Sequence, residues 1–249
     1  MKLQRLHWAG AHVETGKTRL LIDPVYRSPD YNFFGEPKHS FSSLSHIENI
    51  DVILITHLHS DHFDPELIIN RFGSDTLVLV PEGCEADVKA RGLNNVLELS
   101  IHDTYRINNT TIITATYSLD GLGDNQVSWI ISEENKTIIH CGDTLWHGYW
   151  TKIQKKYGPF DAALLPINGA IVNEPGETHS KQPICMTPEQ AVSAAKVLNA
   201  NLLIPIHYDS FHNPPIYLET KNLSERLIKA ASQEAVFIKM LQPQDLIEL

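Results

Sequence analysis

Residues 51–62 read Asp51-Val-Ile-Leu-Ile-Thr-His57-Leu-His59-Ser-Asp61-His62. The apolar run 52–55 has the composition of a buried strand. It leads into three imidazoles and a carboxylate within six positions. In an extended segment, residues two apart point the same way, so His57 and His59 can grip one ion together. Asp61 and His62 follow after a turn and can face a second ion beside the first. Nitrogen and carboxylate ligands of this kind suit Zn²⁺ first, and also Mn²⁺ or Fe²⁺. A His-rich surface turn would offer the same residue types, but seldom at this spacing and directly behind a hydrophobic strand.

Working outward, apolar β-rich runs recur at residues 3–8, 19–23, 52–56, 76–80, 111–116, 127–132, 137–141, 162–166, 202–206 and 235–239. Helical patterns lie between some of them. Asp64-Pro65-Glu66 reads as an N-cap followed by proline at the first helical position, opening a helix to about Phe72. Thr187-Pro188-Glu189-Gln190 has capping-box spacing, and the helix behind it sets Ala191, Ala194, Ala195 and Leu198 on one face. A third helix is expected from about Leu223 to Ala231. Strands mixed with helices predict an α/β sandwich with buried sheets. No Pro/Gly/Ser-rich linker divides residues 1–249, so a single domain is expected. Residues 27–48 lack periodicity and read as a long loop bordering a site.

The order of motifs resembles the metallo-β-lactamase superfamily, whose His-x-His-x-Asp-His motif stands here as His57, His59, Asp61 and His62. Leu20-Leu-Ile-Asp23-Pro looks like the element whose aspartate braces the metal loop from behind. Ile139-His-Cys-Gly142-Asp143-Thr looks like the element offering a metal-bridging carboxylate, Asp143. Leu203-Ile-Pro-Ile-His207-Tyr looks like the strand end presenting the last histidine ligand. Residues 157–169 and 186–191 are similar to the branch containing L-ascorbate 6-phosphate lactonase-like proteins and N-acyl-phosphatidylethanolamine phospholipase D. The resemblance implies a four-layer αββα sandwich with one or two divalent transition-metal ions at one edge. It also implies a histidine ligand after the strand at 111–116, where this chain has Tyr117. A neutral phenol is a poor ligand. The first metal position, left with His57, His59 and the shared Asp143, is therefore expected to be weak unless another group substitutes.

The remaining composition narrows the function. A net charge of −10 without any basic run disfavours nucleic acid and anionic membranes as partners. No apolar run approaches the ~18 residues of a membrane span, and the N-terminus lacks a signal-peptide stretch. The cysteines, Cys84, Cys141 and Cys185, have no Cys-x-x-Cys spacing and read as buried spectators in the reducing cytoplasm. Nine of the 13 histidines fall outside the motifs and read as spectators, with His12 and His179 raised slightly by their glycine-bounded settings. Asp23 has a rival reading as a plain turn former, and Trp146, Tyr149 and Trp150 read as core. The loop 170–186 is expected at the rim of a substrate pocket, with His179 and Lys181 its candidate donors.

The expected activity is hydrolysis of a small-molecule ester, lactone or phosphodiester, with Asp61 orienting the attacking water. Two rivals stand beside it. One is a metal-binding or sensing protein without catalysis, which Tyr117 favours. The other is a di-iron redox enzyme, which the resemblance disfavours because such sites place an acidic residue where this chain has His59. The sequence leaves a homo-oligomer open.

Overall fold

A computed structural model describes the chain except for residues 28, 42, 174 and 177. These four lie within the two loops singled out above, so the readings made of those loops are tested only on the residues around them.

The strands are β1 (Lys2–Arg5), β2 (Ala11–Glu14), β3 (Arg19–Ile22), β4 (Val52–Leu54), β5 (Val78–Pro81), β6 (Val96–Leu99), β7 (Thr104–Ile107), β8 (Thr111–Tyr117), β9 (Val127–Glu133), β10 (Lys136–His140), β11 (Ala162–Pro166), β12 (Ile171–Val172), β13 (Leu203–Ile206), β14 (Tyr217–Leu218) and β15 (Leu246–Glu248). The helices are α1 (Tyr31–Phe34), α2 (Pro65–Phe72), α3 (Glu85–Ala90), α4 (Trp150–Tyr157), α5 (Pro188–Val197) and α6 (Leu223–Glu234). One sheet has the order β15-β1-β2-β3-β4-β5-β6, a second β13-β11-β10-β9-β8-β7, and β12 pairs with β14 alone.

Strand periodicity assigns the layers. Val52 and Leu54 of β4 pack with Ala162 and Leu164 of β11 in the core between the two sheets. Their neighbours Ile53 and Ile55 turn outward onto Ile68 of α2 and Val88 of α3. Ala163 and Leu165 turn outward onto α4, α5 and α6, meeting Ile153, Ala191, Val192 and Leu227. Strands covered on both faces need continuous rather than alternating hydrophobicity, and β4, β5, β11 and β13 are buried at every residue. The result is the expected four-layer αββα arrangement.

The caps form as their chemistry requires. Asp64 accepts from Leu67 N ahead of Pro65, and Thr187 and Gln190 make both bonds of the capping box. The run 235–239 forms only an isolated bridge, Ile238 to Leu203. Trp150 is core, whereas Trp146 is 42% exposed. Within 27–48 the expected loop contains the short helix α1.

The carboxyl ends of β4, β10, β11 and β13 lie along one edge, because β10, β11 and β13 run parallel and β4 runs parallel to β3 and β5. Ligands of open α/β sheets bind at such strand ends.

Candidate metal centre

His57, His59, Asp61 and His62 leave the end of β4, Asp143 follows β10 and His207 follows β13. Their metal-facing atoms form overlapping groups, each within 4.8 Å: His57, His59, Asp120 and Asp143; His57, Asp61 and His62; His62, Asp143 and His207. Asp143 is shared. Its Oδ2 stands 3.7 Å from His57 Nε2 and 4.0 Å from His207 Nε2. All six residues named from the sequence therefore meet at one edge.

Position one is built by His57, His59, Asp120 and Asp143. Tyr117, read as a poor ligand, stands outside it. The Tyr117 ring stacks on Tyr149 at 4.0 Å, and its hydroxyl pairs with His102 at 3.3 Å. It belongs to none of the ligand groups. Asp120, three residues on, enters the group instead, with its Oδ1 3.9 Å from His59 Nδ1. Leu122 N and Asp124 N donate to its other oxygen at 2.7 and 3.0 Å, so its own turn fixes the carboxylate. His59 Nε2 donates to Asp124 at 2.7 Å, which leaves Nδ1 to face an ion. Reasoning from the sequence missed Asp120 and Asp124. Their one signal was the acidic, glycine-containing stretch Asp120-Gly-Leu-Gly-Asp124 directly after the strand where a ligand was sought.

Position two is offered by His62, Asp143 and His207, with Asp61 Oδ2 beside them at 3.3 Å from His207 Nε2. Asp23 braces it as expected. It accepts from Thr56 N at 2.8 Å, from Thr56 Oγ1 at 2.7 Å and from His62 Nδ1 at 2.8 Å. His62 Nε2 is thereby turned to the site, 3.5 Å from Asp61 Oδ2. Trp8, unnoticed in the sequence, donates its indole N–H to the same Asp61 oxygen at 2.8 Å. Its ring lies 3.9 Å from that of His207, and its carbonyl accepts from His207 N at 3.0 Å. Trp8, Asp23 and His207 all have left-handed backbone, at φ 58, 44 and 55. Non-glycine residues adopt it at a cost, and such strain gathers at functional sites. Gly142 (φ 59) precedes Asp143 where a Cβ would stand 2.8 Å from Thr56 Oγ1, so only glycine fits.

The donor set fits divalent metal ions. His62 Nε2 and Asp143 Oδ1 are buried without hydrogen-bond partners among the described residues, a costly condition for polar atoms unless an ion or water satisfies them. The electrostatics agree. Burial alone would lower the His62 imidazole, but Asp61 and Asp23 outweigh it and hold it up at about 9. Burial pushes the Asp143 carboxyl up to about 7 and His207 down to about 4. Burial would raise Asp61, yet His62 and His207 keep it well below the carboxylate range. Pairs of ionisable groups driven this far apart mark functional sites.

His12 pairs with Leu21 and Gln4 on β2 and belongs to none of the ligand groups. A cavity of about 200 Å³ opens onto His59, Asp61, Asp143 and His207. Among the described residues, the loop 170–186 gives it Ile184; His179 and Lys181 are exposed and do not line it.

The model of the beta-lactamase superfamily domain matches residues 18–208, from the strand before Asp23 to the residue after His207. The chain belongs to the beta-lactamase superfamily. Within this superfamily it is 33% identical over 192 residues to a UPF0173 metal-dependent hydrolase of Methanosphaera stadtmanae, covering 72% of this chain and 75% of that protein. A metal-dependent hydrolase of the same name from Caldivirga maquilingensis is 28% identical over 99% of this chain and 97% of its own length. Among solved structures, a metallo hydrolase from Ignicoccus hospitalis superposes with a TM-score of 0.75 at 24% identity, covering 99% of this chain and 97% of that one. This superfamily member is a metal-dependent hydrolase with the superfamily's fold. No helix among the described residues is long and apolar enough to cross a membrane.

Proposed function

We propose that the chain, as one domain over residues 1–249, hydrolyses a small-molecule carbonyl or phosphoryl ester at a centre of two divalent ions. His57, His59, Asp120 and Asp143 would hold one ion, and Asp61, His62, Asp143 and His207 the other. The observation that carries this reading is Asp143, shared between two ligand groups, with His62 Nε2 of the second group buried without a protein hydrogen-bond partner. A bound divalent ion supplies Lewis acidity, which lowers the pKa of water and polarises the scissile oxygen.

The chain's own residues supply the rest. Trp8 donates to Asp61 Oδ2 and so fixes the carboxylate, whose Oδ1 would accept a hydrogen bond from water and aim it. Asp23 holds His62 in the tautomer that offers Nε2. Asp120 gives position one a carboxylate where the resemblance placed an imidazole. Zn²⁺ remains compatible, but the added oxygen donor favours Mn²⁺ or Fe²⁺ more than a three-histidine set would. The free, buried cysteines support a reducing, cytoplasmic setting.

The test is turnover of p-nitrophenyl butyrate and of bis(p-nitrophenyl) phosphate by protein loaded with Mn²⁺ or Zn²⁺, beside chelated protein. Metal-restored turnover of either probe that is lost in His207→Ala supports the reading. Equal rates in loaded and chelated protein with both probes overturn it in favour of a non-catalytic metal-binding protein.

A further inference from the structure

The cavity beside the metal cluster has two sides of opposite character. One is the cluster itself. The other is apolar: Phe33 and Phe34 from α1, Leu122, Ile184 and the Tyr217 ring, with Asp30 as an exposed acidic residue. Among the described residues, no lysine or arginine lines it. An anionic phosphodiester would therefore meet no side-chain cation while facing Asp30, and desolvating an unpaired charge against aromatic walls is costly. Asp61, Asp120 and Asp143 would offset three of the four positive charges of two divalent ions, and the exposed Asp30 opposes the one that remains.

Tyr217 adds a polar group to the apolar side. It is 1% exposed, and its oxygen accepts from Asn168 Nδ2 at 2.7 Å. Asn168 Oδ1 in turn accepts from the Cys185 thiol. Asn168 follows β11, whose neighbours β10 and β13 carry Asp143 and His207 at the same edge. The Tyr217 hydroxyl proton thus has no acceptor among the described residues, in a side chain that lines the cavity. A buried donor left unpaired costs about 1–3 kcal/mol, recovered when a ligand accepts from it.

We propose that the cavity takes an uncharged carbonyl compound, an ester, lactone or amide carrying an aryl or alkyl group, and that the Tyr217 hydroxyl donates to its oxygen. The aryl or alkyl group lies against Phe33, Phe34 and Leu122. This rests on the hydrolase reading above and selects one substrate class within it.

The experiment is calorimetric binding to the manganese-loaded protein, with 1,1,1-trifluoro-4-phenylbutan-2-one as the neutral carbonyl probe and diphenyl phosphate as the anionic one. The ketone is expected to bind at least about tenfold tighter. Tyr217→Phe should weaken the ketone about fivefold, the loss of one neutral hydrogen bond, with metal content unchanged. Leu122→Lys, at a half-exposed position that does not threaten folding, should weaken the ketone and strengthen diphenyl phosphate. Tighter binding of diphenyl phosphate by the wild type, absence of ketone binding, or an unaltered ketone affinity in both variants would overturn the proposal. The hydrolase reading fails separately, by equal turnover in loaded and chelated protein, whichever probe binds.

Discussion

The two ion positions use the same kinds of ligand, yet they are built to different standards. At position two every private ligand is buried and held from behind: His62 by Asp23, Asp61 by Trp8, and His207 by the Trp8 ring and carbonyl. At position one His59 is 26% exposed and its brace, Asp124, is 64% exposed. Asp120, whose side chain is 1% exposed, accepts from Leu122 N and Asp124 N of its own loop. A ligand braced by a buried partner presents its atom at a fixed angle, whereas one braced from solvent pays rotamer entropy each time it binds. Position two is thus expected to retain its ion, and position one to exchange.

Removal of ligands should break this comparison open most widely. His62→Ala takes away a position-two ligand and leaves Asp23 and Asp61 buried without the imidazole between them. It should empty position two and lower thermal stability by several degrees, as losses of buried hydrogen-bonded partners do. Asp120→Ala should empty position one alone, taking metal content from two ions toward one with the fold retained. Elemental analysis of metal-loaded, desalted protein without chelator decides. Two tightly held ions in Asp120→Ala would remove that carboxylate from the centre.

The braces should come next in size. Asp23→Asn keeps the shape but replaces a carboxylate that accepts three hydrogen bonds, and about 10–100-fold in metal affinity is the usual cost of such a change. Trp8→Phe keeps a ring near His207 but deletes the bond to Asp61. It should cost about tenfold in kcat with metal content little altered. Asp124→Asn acts at an exposed group and should weaken position one by no more than about threefold. Competition against a chromogenic chelator ranks Asp23 and Asp124, and turnover by metal-loaded protein reads Trp8. An Asp124 effect as large as that of Asp23 would erase the distinction between the positions.

The same contrast explains what was legible in the sequence. Position two is written in local motifs. A buried strand running into His57-Leu-His59-Ser-Asp61-His62 fixes its own geometry, and Asp23, Asp143 and His207 each end an apolar run, where buried strands place functional groups. The layers followed because β4, β11 and β13 need apolar residues on both faces. Position one was half hidden, because Asp120 sits in a turn whose residue types serve any turn, and its role arises only when β8 delivers it beside β4. Trp8 was hidden for a different reason. Its apolar ring reads as core, and the one polar atom that matters meets Asp61 across 53 residues. The strands β6 and β7 are short and partly polar and β12 is only two residues long, so their pairing partners rather than their own composition decide them.

The smallest effect expected is a proton count, and it tests the comparison without relying on turnover. In the ion-free protein His62 is held at about 9 by Asp61 and Asp23 against the pull of burial, so it carries a proton at pH 7. Its Nδ1–H is committed to Asp23, so the proton an ion must displace is the one on Nε2. Asp143, pushed up to about 7 by burial, is about half protonated there as well and must also ionise to bind. Filling position two should therefore release roughly one proton or slightly more at pH 7. The sign follows: apparent affinity climbs as pH rises from about 7 toward 9, by up to about tenfold per unit for each proton displaced, and levels off above. His57 of position one is held well below its ordinary range by burial and its histidine neighbours, so it has no proton to give. Calorimetry of Asp120→Ala, where only position two loads, in two buffers of different ionisation enthalpy gives the count directly. An affinity independent of pH between 7 and 9 would mean that His62 is neutral before the ion arrives, and that Asp23 orients the imidazole without charging it.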